Sequence, residues 1–156
     1  MSQLPSGIAT WLSARQIIIE IVLVVLVGFA FFLKFLYLPG ADEALMITML
    51  TLAAFYFLMG FVPASTDNIF VLILSKVFAI SSAVCIIGLL FAFLHVSGAK
   101  EQLMIGLLSL GVSGFILLFL IITARMPKAM PLIIRFVALG ALSLNAFMTL
   151  NAYMAQ

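Results

Sequence analysis

Charge is what this chain has least of. Asp, Glu, Lys and Arg make up 8% of its 156 residues, where soluble domains carry about 25%. With 67% of the residues hydrophobic, no soluble fold has enough polar surface to cover the remainder. The single cysteine, Cys85, excludes an intrachain disulfide and any Cys-based metal site. The single histidine, His95, excludes a bis-histidine haem site and a His-rich metal site. The only aspartates, Asp42 and Asp67, lie between apolar runs, so no Ser-His-Asp set assembles. There is no phosphate loop, no C-x-x-C and no acidic cluster able to hold Mg²⁺. A net charge of +2 is too small to suggest nucleic-acid binding. The expectation is a protein that is not an enzyme, takes no cofactor and binds no metal.

What is present is long apolar runs. They are continuous, not alternating, which argues for spanning helices and against a lipid-facing barrel. Five spans are expected, over about 15–38, 43–62, 69–95, 103–123 and 132–155. The expected fold is therefore an all-α polytopic integral membrane protein, a single transmembrane helical domain over 1–156. Pro39-Gly40 and Pro63 mark span ends, and Asp42 is placed to N-cap the second span. All links are short, so successive helices are antiparallel neighbours. No internal repeat is expected from the runs, and an odd number of spans argues against a duplicated transporter half. No segment has the form of a removable signal peptide. In the tail 1–14, Leu4, Ile8, Trp11 and Leu12 recur at helical spacing and suggest a short interfacial helix, with Trp11 at headgroup level.

Basic residues near span ends set the expected orientation. Arg15, Arg125 and Lys128 fall on one side, with Arg135 just inside a span there. Lys34 and Lys100 fall on the other, with Asp42, Glu43 and Glu101. The bias places the N-terminus inside and the C-terminus outside.

Four charges stand within the spans: Glu20, Lys34, Lys76 and Arg135. Each costs roughly 2.5–3.5 kcal/mol at mid-helix. Lys34 lies near a span end, where its stem reaches the headgroups. Glu20, Lys76 and Arg135 are expected at similar depth on three parallel spans, with Glu20 held by Lys76, Arg135 or both. Such a cluster serves as a structural clasp or as a proton or ion relay. The clasp is the simpler reading, because beyond Glu20 no acid lies in the interior of a span.

Small and polar residues form stripes. In the fifth span Arg135, Ala138, Ala141, Asn145, Thr149 and Ala152 share one face; in the fourth, Gly106, Ser109 and Ser113; in the third, Ser75, Ala79, Ser82 and Ala83. Stripes of this kind let helices approach closely, or line a narrow polar cavity that Thr48 and Thr51 would join. Phe29, Phe31, Phe32, Phe35 and Tyr37 wrap the end of the first span and predict contact with lipid or a partner.

Three functions fit these features. The favoured one is a non-catalytic membrane subunit or accessory protein whose partners are lipid and either other membrane subunits or further copies of itself. The alternatives are a small oligomeric channel or transporter using the Glu20/Lys76/Arg135 cluster, and a membrane enzyme whose site is completed between subunits.

Overall fold

Uninterrupted apolar sequence carries through into uninterrupted helix. A computed structural model describes residues 6–62, 69–123 and 130–154 and is all-helical. The helices are α1 (Ser6–Phe35), α2 (Ala41–Met59), α3 (Ile69–Phe93), α4 (Ala99–Ile122) and α5 (Met130–Met154). All five are long and apolar enough to cross a membrane. α1 runs unbroken from Ser6, so the segment before Arg15 is a continuation of the first helix where a separate one was expected. Trp11 is exposed, with the Arg15 guanidinium 5.7 Å from its ring centre. Leu4, Arg125 and Lys128 lie outside the described residues.

α1 stops at Phe35, short of the expected Leu38, because Tyr37 turns into the left-handed region with φ 54°. Tyr37 N–H donates to the Lys34 carbonyl and Leu38 N–H to the Leu33 carbonyl. That is a Schellman ending, usually made by glycine. Gly40 then takes φ 84° and opens α2, so Asp42 is a first-turn residue and not the N-cap that was expected. Its carboxylate still favours the positive start of the helix.

The second turn repeats the first atom for atom. His95 has φ 54° and Gly98 φ 86°. His95 N–H donates to Ala92, Val96 to Phe91, Ala99 to Val96 and Gln102 to Gly98, matching Tyr37 to Lys34, Leu38 to Leu33, Ala41 to Leu38 and Ala44 to Gly40. The sequences agree as well: FLYLPGADEALMI (35–47) against FLHVSGAKEQLMI (93–105). Contrary to the sequence expectation, the chain contains an internal repeat. It is a parallel one, hairpin α1–α2 followed by hairpin α3–α4, with α5 added. The repeat is conspicuous only at the turn, where left-handed backbone restricts the residues; the helices on either side share apolar character and little more.

Packing is unequal. Backbone to backbone, α1 lies close only to α2, α2 also to α3, and α3 also to α4, while α5 lies close to α3 and α4. The α3–α4 contact is the tightest. A Cβ at Gly106 would stand 2.9 Å from Cys85 Sγ and 3.0 Å from Cys85 Cα, so the helices meet backbone against side-chain root. Further along the same seam Ser81 and Ser113, both buried, share a hydrogen bond of 3.2 Å. Ser109 supplies the carbonyl that takes the other Ser113 bond, at 2.9 Å. Here the small residues do what close packing asks of them. Thr48 and Thr51 turn their hydroxyls onto their own helix, to Ala44 and Ile47, and so spend them locally.

At the turn end, Lys34 does more than reach outward. Its Nζ lies 2.7 Å from Asp42 Oδ1 and 2.7 Å from the Phe93 carbonyl. One side chain thus pairs with the start of α2 and satisfies the last turn of α3, tying the two hairpins together. Beside it Phe31 meets Phe93 edge to face at 4.6 Å. Phe31 therefore turns inward, while Phe29, Phe32, Phe35 and Tyr37 stay exposed.

Candidate functional site: an ion pair beside an apolar cavity

The opposite end of the bundle is joined by charge. Arg135 Nη2 of α5 donates to Glu20 Oε2 of α1, and the Tyr56 hydroxyl of α2 donates to Glu20 Oε1. Glu20 is only 8% exposed. Both of its oxygens are engaged, one by a cation and one by a neutral donor, as a buried carboxylate requires. The bond from a charged guanidinium is the stronger of the two.

Lys76 does not join them. Among the described residues it makes no ion pair, and it is half-buried on α3. α2 lies between α1 and α3, whose backbones do not come close and which meet through Phe31 and Lys34 against Phe93 at the other end. Equal depth brings charges to one level of a bundle, but azimuth decides which of them meet. The third member of the cluster is therefore Tyr56 and not Lys76. Sequence reasoning missed Tyr56, although a signal was present: Tyr37 and Tyr153 lie at the ends of apolar runs and Tyr56 lies deeper in one, where a phenol needs a partner for its hydroxyl.

α1 and α5, which the pair connects, do not otherwise pack on each other. Between them lies a cavity of about 250 Å³ lined by α1, α2, α3 and α5. Glu20, Tyr56 and Arg135 form its polar end; every other lining residue is apolar.

The second hairpin shows the same surface in another state. The register that pairs Phe35 with Phe93 pairs Glu20 with Phe78 and Tyr56 with Gly114. Phe78 is buried with Cys85 and Leu110, against Leu132, Phe136 and Leu139 of α5. A Cβ at Gly114 would lie 2.4 Å from the Phe136 ring. Glycine there is the notch into which the ring fits. Consecutive residues of α5 thus address the two hairpins: Arg135 the polar first, Phe136 the apolar second.

The expected small-residue face of α5 points elsewhere. Ala138, Ala141, Asn145 and Thr149 are exposed, and Thr149 gives its hydroxyl to its own helix at Ala146, 2.8 Å away. The face that packs carries Phe136, Leu139, Ser143, Ala146 and Phe147. The larger aromatic and aliphatic groups, expected off the contact face, fill the gap to α3 and α4. Among the described residues no three His, Cys, Asp or Glu side chains converge on a site for a metal ion. The arrangement can clasp helices, exclude water from an ion pair and present one polar end to an apolar space. The chain matches no known family model, curated protein or solved structure.

Proposed function

We propose that this chain is a multi-pass membrane protein acting as a non-catalytic subunit or accessory factor, docked on its partner through the exposed face of α5. Asn145 carries the reading. It stands inside the apolar window Leu132–Leu150, yet faces away from the chain's own core. Within that window 11% of the residues are buried, against 44% for α3. An amide facing hydrocarbon is unfavourable, and a hydrogen bond across helices contributes about 0.6–2 kcal/mol. Ala138, Ala141 and Thr149 flank it at helical spacing and give a second backbone room to approach. The docked partner is thus a transmembrane helix with a small-residue face and a hydrogen-bonding group opposite Asn145. The basic bias puts the N-terminus on the cytoplasmic side and the C-terminus across the membrane.

The test is photocrosslinking from position 145 in native membranes, with position 108 as control, since Leu108 is exposed on α4. The expected result is one discrete adduct from 145 and from 141, absent from 108 and lost in Asn145→Leu. Adducts equal at 145 and 108 would overturn the docking face. An adduct of the chain with itself would move the reading to an oligomeric channel or transporter.

A further inference from the structure

Because the two hairpins share a register, each offers a corresponding surface. On the second, Phe78, Cys85 and Leu110 are covered by Leu132, Phe136 and Leu139 of α5. The corresponding residues of the first are Glu20, Val27 and Leu52, and these line the cavity. One copy of the surface is filled with aromatic and aliphatic groups; the other is left as a space of about 250 Å³.

Size limits the occupant. The space exceeds the roughly 150 Å³ apolar cavity that takes benzene. At about 250 Å³ it is far too small to enclose a helix about 10 Å across. A slim hydrocarbon chain fits. Access is lateral: α1 and α5 do not pack on each other, and Val24 and Leu142, which line the cavity from these two helices, are exposed.

The polar end selects the head. Glu20 and Arg135 cancel in charge, so neither an anionic nor a cationic group finds an uncompensated partner. Hydrogen-bonding capacity remains. A guanidinium has five N–H donors, and among the described residues Arg135 bonds only to Glu20. A carboxylate has about four lone-pair sites, and Glu20 accepts two bonds. The complementary head is uncharged, accepting from Arg135 through a carbonyl and donating to Glu20 through a hydroxyl.

We infer that the cavity binds the acyl chain of an uncharged glyceride, a monoacylglycerol-type lipid, entering between α1 and α5 with its ester and hydroxyls at the Glu20–Tyr56–Arg135 end. The inference rests on the membrane placement above but not on the docking face; Ala138 borders both, so the cavity is tested from α1 and α2 and the docking face at Asn145.

The test uses the full chain in phosphatidylcholine nanodiscs and a monoacylglycerol with a mid-chain diazirine. Photolysis is expected to label the segments holding Val27, Leu52 and Leu89. Excess monoolein should reduce that label roughly tenfold, whereas equal hexadecane or oleate should not. Leu52→Phe, which fills the cavity from α2, should abolish the label with the melting temperature retained; Val27→Phe does the same from α1 should the first variant fail to fold. Label spread equally over exposed Leu108 and Phe115 of α4 would overturn the site. Competition by hexadecane or oleate as strong as that by monoolein would overturn the head-group assignment, and label unchanged in both filled variants would overturn the cavity as its location.

Discussion

The two hairpins share a turn and differ in what they bury. The first places a carboxylate and a phenol, Glu20 and Tyr56, where the second places a benzyl group and a hydrogen, Phe78 and Gly114. The second hairpin closes on itself through Gly106 and Cys85 and receives Phe136 in a notch. The first meets α5 through one ion pair and leaves a space beside it. Dispersion forces reward contact everywhere along an interface. A hydrogen-bonded charge pair rewards one point and tolerates a gap around it. The two hairpins thus share a turn, while one is a packing block and the other a clasp.

The sharpest way to break this difference is to remove the clasp. Glu20→Gln leaves Arg135 without a counter-charge, and the expected loss is about 3–5 kcal/mol where the site stays dry. Glu20→Leu with Arg135→Leu should recover most of it, because apolar groups suit the site. Glu20→Leu with Lys76→Met should give additive losses. Unfolding titrations of the detergent-solubilised variants decide, and coupling to Lys76 larger than to Arg135 would contradict the geometry. A proton relay makes the opposite demand: loss of function in Glu20→Gln with stability intact.

Next in size is the reverse experiment, giving the second hairpin the side chain of the first. Gly114→Tyr drives a ring into Phe136, and the expected destabilisation is about 3 kcal/mol, the upper part of the usual range for overpacking. Phe136→Ala in the same chain should return part of it, and no recovery in the double variant would mean that the notch is not where the two meet. Smaller is Tyr56→Phe, which removes one donor to a carboxylate and should cost about 1.5–3 kcal/mol, measured by the same titration. It should vanish in the Glu20→Leu background.

The smallest expected effect concerns what the hairpins share. Tyr37 and His95 both sit at φ 54°, a region that disfavours side chains by about 1–2 kcal/mol. Tyr37→Gly and His95→Gly should each raise stability, by up to about 1 kcal/mol after the greater freedom of unfolded glycine is counted. Equal gains at both would show that the turns remain equivalent; a gain at one alone would show that Lys34, present in the first turn and replaced by Ala92 in the second, has made them differ.

Much of this was legible in the sequence, and what was missed has physical causes. Five helices follow from run length alone, because a spanning segment needs little else. The meeting of Glu20 with Arg135 was open to reasoning from depth, since rise per residue is fixed. Lys76 has a similar depth and does not take part, because depth is one coordinate of three and the packing order of helices supplies the others. Tyr56 was hidden among apolar residues, although its hydroxyl is a donor. The stripe over Ala138 and Asn145 was visible, but not that α5 would turn its larger side chains inward and leave the stripe outside. The repeat was visible too, in FLYLPGADEALMI and FLHVSGAKEQLMI. It passes unnoticed because apolar helices resemble one another whether duplicated or not.

The clasp also has an order in time. Glu20 lies in the first helix and Arg135 in the last, 115 residues further along the chain. A ribosome delivers α1 through α4 before Arg135 exists, and in that interval the carboxylate has only the Tyr56 hydroxyl. The carboxylate of α1 is therefore completed by a residue made 115 positions later. A product lacking α5 leaves Glu20 without its cation, and the arrival of one arginine supplies it.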